Sequence, residues 1–210
     1  VLASHADDEV WCGGTIAKHA KAGDWVGVMT FTDGVGSRGS DGALERSAQL
    51  RKSCAILGAH ALRPANYADN QMDRYPLLRV VQDTERVIYE NRPTFVYTHY
   101  GADLNVDHRA VCEATRIACR PQPGCTVTRL LHFEAPCSTV WAGGFAPNYF
   151  VDLDANLMAL KLTAFTQYAA EVREYPHARS KTGIEDLAHW RGASIGVRAA
   201  EAFMAERIIA

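Results

Sequence analysis

The 210-residue chain is 48% hydrophobic and 22% charged, the proportions of a folded globular protein rather than a disordered one. Its formal net charge of -2 comes from acidic and basic residues mixed along the chain, which excludes a general field for nucleic acid or an anionic membrane surface. No apolar run reaches about 18 residues and no signal peptide is read, so no membrane span is expected.

In chain order, residues 1–4 read as the end of a buried strand that begins upstream of Val1. Residues 9–22 have a helical pattern with Gly23-Asp24 as the stop, and residues 25–32 (WVGVMTFT) form a second buried strand. A glycine-rich loop runs to Gly42, followed by a helix over Ala43–Leu57 that Gly58 closes. Residues 62–67 suggest a short strand, 76–90 a helix, 94–98 (TFVYT) a β-rich run, and 107–119 a helix ended by Pro121. Residues 127–134 and 149–153 look like late strands, with helices after Asp154 and after Ser180.

Short apolar strands alternating with helices predict an α/β fold, a mainly parallel sheet with helices on both faces in three layers. No repeat, linker or low-complexity tract divides residues 1–210, so one domain is expected. In such folds ligands bind in loops beyond the carboxyl ends of the strands. Residues 4–9, 33–42 and 99–108 stand in that position and are polar. The six cysteines (Cys12, Cys54, Cys112, Cys119, Cys125 and Cys137) form no C-x-x-C pair and read as reduced core thiols, which points to the cytoplasm.

The first of these loops holds His5, Asp7, Asp8 and Glu9 where a strand enters a helix. His5 and Asp8, three residues apart, can face one side of a turn, and imidazole with carboxylate suits zinc. Asp7 stands free to act as a general base. Taken alone, the run Asp7-Asp8-Glu9 is more commonly a helix cap. The loop after the 94–98 strand mirrors the first, with His99 and then Asp103-x-Asn105-x-Asp107-His108. It imitates the start of a calcium loop, but His108 stands where that loop needs glycine and Ala114 where it needs glutamate. His108 is the natural third ligand, and Asp107 can orient a histidine from behind.

These residues resemble the signatures of the LmbE-like/PIG-L N-deacetylase family. His5-Ala6-Asp7-Asp8-Glu9 is similar to its His-Pro-Asp-Asp-Glu, and Thr98-His99 with Asp103 to Arg109 is similar to its second motif. Further similarity lies in Phe31-Thr32-Asp33-Gly34, Glu45-Arg46, Asp69-Asn70-Gln71-Met72-Asp73, Tyr175-Pro176-His177-Ala178-Arg179-Ser180, Arg191-Gly192 and Ala200-Glu201-Ala202-Phe203. The resemblance covers nearly the whole chain. It implies a Rossmann-like fold, a Zn2+ held by His5, Asp8 and His108, Asp7 as base, and Arg46 on the substrate or released acetate. Ala6 replaces the family's proline, and Asn105 replaces a histidine that many members place at the oxyanion; Asn105 can still donate a hydrogen bond there, and His99 or His177 is expected to supply the positive group. The implied partner is a small N-acylated amino-sugar or glycoconjugate, with a thiol conjugate as an alternative. The sequence is compatible with a homo-oligomer.

The loop over residues 33–42 lacks the spacing of a dinucleotide or P-loop motif and is expected at the pocket rim, with Asp33 and Arg38 toward substrate. His19, His60, His132 and His189 have no partner pattern, and of the four tryptophans Trp141 is the one expected to face substrate. Two other readings stay open. Two histidines and a carboxylate also make the facial triad of an iron oxygenase, although such triads favour β-sandwich scaffolds. A non-catalytic metal- or sugar-binding module is the other, favoured only by Asn105.

Overall fold

The computed structural model describes residues 1–38 and 42–209, Arg38 by its backbone alone. Three strands, β1 (Leu2–Ala3), β2 (Gly27–Thr30) and β3 (His60–Ala61), pair in parallel in that order. A second sheet runs β4 (Phe95–His99), β5 (Arg129–Phe133), β7 (Ala200–Ile208) and β6 (Tyr149–Asp152). In it β4 and β5 are parallel, while β7 is antiparallel to both its neighbours. β1 lies against β4, so the two sheets abut.

Alternation along the strands explains the layers. Val28, Tyr97 and Leu131 join one apolar cluster, while their neighbours Met29, Val96 and Leu130 join the other. Successive strand residues face opposite sides of a sheet, so each cluster is one face. The first face is covered by α1 (Gly13–Lys21), α2 (Ala43–Leu57), α6 (Ala155–Phe165) and α7 (Lys181–Ala193). The other is covered by α3 (Leu77–Asn91) and α4 (Val106–Ala118). A short α5 (Thr139–Ala142) lies between β5 and β6. The expected α/β three-layer architecture is therefore present. Among the described residues no helix is long and apolar enough to cross a membrane.

Three expectations need correction. The first helix does not run from Glu9: a 3-10 turn over Asp8–Cys12 precedes α1, which starts at Gly13 without a capping side chain of its own. Its cap comes from β7, where the buried Glu201 accepts the N–H groups of Gly14 and Thr15 at 2.9 and 2.7 Å. Lys161 balances that carboxylate at 2.6 Å and also donates to the Trp11 carbonyl at 2.9 Å. The strand expected over residues 62–67 is reduced to a bridge between Thr32 and Tyr67, the ladder lying earlier at β3. β7 itself was not anticipated. Its Ala-Glu-Ala-Phe-Met-Ala-Glu-Arg run is rich in helix formers, and pairing on both edges overrides that preference.

The chain reaches β7 through a tight passage over α7. A Cβ built on Gly192 would meet Ala199 Cα at 2.6 Å and Ala199 N at 2.7 Å, backbone atoms that cannot swing away. Gly192→Ala should therefore destabilise the protein by about 1–3 kcal/mol despite the helix propensity of alanine, read as a lowered midpoint of denaturant unfolding.

Candidate metal centre

Strand order reverses between β1 and β4, with β2 and β3 to one side and β5 to the other. The crevice outside the carboxyl ends at such a reversal is where open α/β sheets place their ligands. Both sequence motifs enter it. Ser4, just after β1, donates its N–H to His99 Nε2 at 2.8 Å, which ties the two strands together. His5 N–H donates to Asp8 Oδ2 at 2.9 Å and Asp8 N–H to the His5 carbonyl at 3.2 Å, folding the first motif into a closed turn. Gly34 covers that turn so closely, at φ 69°, that a Cβ there would lie 3.2 Å from His5 Cβ.

His5, Asp8 and His108 each present a donor atom, and these atoms lie within 4.8 Å of one another, all three residues being buried. Asp8 Oδ2 stands 3.0 Å from His5 Nδ1 and 3.4 Å from His108 Nε2. The outward nitrogen of each ring meets a carboxylate. His5 Nε2 is 3.1 Å from Asp107 Oδ2 and 3.3 Å from Asp69 Oδ1, and His108 Nδ1 is 3.1 Å from Asp103 Oδ1, off the axis of a good hydrogen bond. Metal-bound histidines are characteristically supported in this way, which fixes the tautomer and leaves the inner nitrogen free to coordinate. His5, Asp69 and Asp107 form a second possible donor group, sharing His5. Asp107 in that group already accepts the N–H groups of Asn70 and Met72 at 2.7 and 3.0 Å, so it reads as support for His5. The donor chemistry of the first group fits a divalent ion such as zinc.

Charges in the turn are strongly coupled. Burial disfavours the charged ring of His5, but Asp8, Asp107 and Asp7 outweigh it and hold its pKa well above the ordinary range. Burial likewise pushes Asp8 up, and His108, His99 and His5 together pull it well below the ordinary range. Asp103 is held at about 2, where burial is outweighed by His108 and the Thr139 hydroxyl. Asp7 differs. Burial raises it to about 7, Arg179 opposing while Asp8 and Glu171 add to the rise.

Asp7 departs from its neighbours in backbone as well. Its φ of 122° is a conformation in which a residue with a side chain is strained by about 1–3 kcal/mol. Its N–H is held by Glu9 Oε2 at 3.0 Å, and its carboxylate by Arg179 Nη1 at 3.0 Å. Arg179 continues to Glu171 Oε2 at 2.5 Å, and Glu171 Oε1 accepts from Arg46 Nη2 at 2.6 Å.

The structure thus gathers His5, Asp7, Asp8, His99, Asp107 and His108 in one turn region, and revises several expected roles. His99 cannot supply a positive group there. Its Nε2 accepts the Ser4 N–H, and burial and the stacked His108 ring, 3.8 Å away, drive its pKa well below the ordinary range. His177 is exposed in the loop before α7 and accepts the Arg179 N–H at 2.9 Å. Asn105 caps α4, its Oδ1 accepting the N–H groups of Asp107 and His108 at 2.8 and 3.4 Å, and its Nδ2 donates to Asn70 Oδ1 at 3.0 Å. Arg46 is buried on Glu171 and over the Tyr168 ring. Asp33 shapes its own loop by accepting from Val35 and Gly36 at 3.0 and 2.9 Å. With Thr32 and Arg46 it lines a cleft of about 420 Å³. The Arg38 side chain lies outside the described residues, and Trp141 is 79% exposed on α5. Asp69, Asp103, Glu171 and Arg179 were not assigned from sequence. Asp69 and Arg179 lie in segments similar to the family, but their roles could be read only from the fold, which brings Arg179 to Asp7 from a loop 172 residues further on.

Comparison with known proteins gives the family and the fold. The PIG-L family, described as GlcNAc-PI de-N-acetylase, matches residues 1–119. An uncharacterised deacetylase of Escherichia coli strain K12, YaiS, is 30% identical over 173 residues, covering 80% of this chain and 88% of that protein. The N,N'-diacetylchitobiose deacetylase of Pyrococcus horikoshii shares the fold at a TM-score of 0.77 and 22% identity, over 98% of this chain and 82% of its own. The 4-carboxy-2-hydroxymuconate hydratase GalB of Pseudomonas putida KT2440 shares it at 0.81 and 19%, over 100% and 95%. The fold by itself therefore does not select a reaction. The family does follow from sequence: with more than half its length matched, this chain belongs to the PIG-L family.

Proposed function

We propose that this chain is a zinc-dependent hydrolase, one domain over residues 1–210, that removes an N-acetyl group from an amino-sugar or its conjugate. The observation that carries the reading is the group His5, Asp8 and His108, with a carboxylate behind each histidine and Asp7 beside it. Zinc held by His5, Asp8 and His108 would supply a Lewis acid for the amide carbonyl and would lower the pKa of a bound water to about 7. Asp7 takes the proton of the attacking water and returns one to the leaving amine, its carboxylate lying beside the ligand turn and held by Arg179. Asn105 keeps a second amide N–H beyond the one given to Asn70 and is the group we assign to the developing oxyanion. Arg46 and Asp33 contribute to the adjoining cleft that receives the sugar. The names of the family, of YaiS and of the chitobiose deacetylase support deacetylation over hydration. The six cysteines are free thiols, which suits a reducing compartment and the cytoplasm.

The test is acetate release from a panel of N-acetylated amino-sugars and N-acylated thiol conjugates, before and after chelator treatment and zinc restoration. Activity should be lost with the metal and return with zinc; a chelator-resistant rate at the wild-type level would overturn the metal assignment. Asp7→Asn should lower turnover by about 10²–10⁴-fold while the protein still binds one zinc. Wild-type turnover in that variant would remove Asp7 as the base. Asp103→Asn should weaken zinc binding by about 10–100-fold, measured by competition with a chromophoric chelator, because it removes the charge that orients His108.

A further inference from the structure

Glu9 is fully buried, and one of its carboxylate oxygens is taken by the Asp7 N–H. Its Oε1 accepts from the Ser53 hydroxyl on α2 at 2.6 Å and from the Tyr168 hydroxyl after α6 at 2.7 Å. Its Oε2 accepts the Asp7 N–H at 3.0 Å. A carboxylate taken wholly out of water is costly unless its lone pairs are met, and here two hydroxyls, one on α2 and one just after α6, fix one oxygen while the other is aimed at a backbone N–H. That N–H belongs to the strained residue, Asp7 at φ 122° and ψ -19°. The strained turn sends two consecutive carboxylates to different partners: Asp8 toward His5 and His108, Asp7 toward Arg179.

We propose that Glu9, braced by Ser53 and Tyr168, is the positioning residue that holds Asp7 in the backbone conformation from which its carboxylate acts. Glu9 touches no reacting atom, and its effect runs through the Asp7 N–H. The inference rests on the reading of Asp7 as the base. Misplacing a catalytic group by about 1 Å costs on the order of 10² in rate, so the loss belongs in kcat.

The experiment compares zinc-loaded Glu9→Met and Glu9→Gln with the wild type, measuring kcat, KM, zinc content and thermal midpoint per folded molecule. Methionine matches the length but accepts no such bond, and kcat should fall about 50-fold or more with KM and zinc content within about twofold. Glutamine keeps a carbonyl for the Asp7 N–H, and the Ser53 and Tyr168 hydroxyls can rotate to accept its amide, so kcat should recover to within about fivefold of wild type. Equal losses in the two variants, or wild-type kcat in Glu9→Met, would overturn the proposal. If Glu9→Met does not fold, the Ser53→Ala/Tyr168→Phe double variant carries the test, since it leaves Glu9 free to swing off Asp7. It should lose kcat at unchanged KM, and a wild-type kcat there also overturns the proposal. Failure of the underlying reading is distinguishable, because Asp7→Asn would then keep its turnover.

Discussion

The crevice is organised by the need to hold buried carboxylates. Asp7, Asp8, Glu9, Asp69, Asp103, Asp107 and Glu171 are all buried at or beside the point where strand order reverses. So many desolvated acids persist only where each is met by a cation, an N–H or a hydroxyl. The structure meets them in three ways. Histidines face Asp8, Asp69, Asp103 and Asp107, arginines face Asp7 and Glu171, and hydroxyls with a backbone N–H face Glu9. Two of the histidines in this network have their inner nitrogens turned to Asp8, so the arrangement that satisfies the acids also assembles a metal-ligand group.

Division of labour within the first motif follows from backbone geometry. Asp7 and Asp8 are adjacent and chemically identical, yet burial lifts one to about 7 while three histidines hold the other well below the ordinary range. The positive φ at Asp7 makes that separation over a single peptide unit.

Much of this was readable before any coordinates. His5, Asp8 and His108 stand at strand-to-helix turns, and the alternation of strands with helices placed those turns at one edge; both features are local patterns, which a sequence carries directly. The helix over Ala43–Leu57 with Gly58 at φ 75° was equally legible, because a left-handed closing glycine is a local signal. What escaped depends on distant chain. The start of α1 is set by Glu201, the ring of His5 is supported by Asp69, and Asp7 is held by Arg179, each more than 60 residues away. Asn105 is the opposite case. Its carbonyl is spent on a local helix cap, the commoner duty of asparagine before a helix, and only its amide N–H groups remain for other partners.

The place of β7 has a consequence for the order in which the molecule can be built. It is synthesised after every other strand, yet it lies between β5 and β6 and delivers Glu201 to the start of α1, 187 residues earlier. While the nascent chain is still emerging, β5 and β6 lack their shared neighbour and α1 lacks the anchor supplied by Glu201. Pairings of such sequence separation form slowly, and unpaired strand edges invite aggregation meanwhile. The first turn is thus complete over a short stretch of sequence but acquires its rigid backing only once β7 has been made.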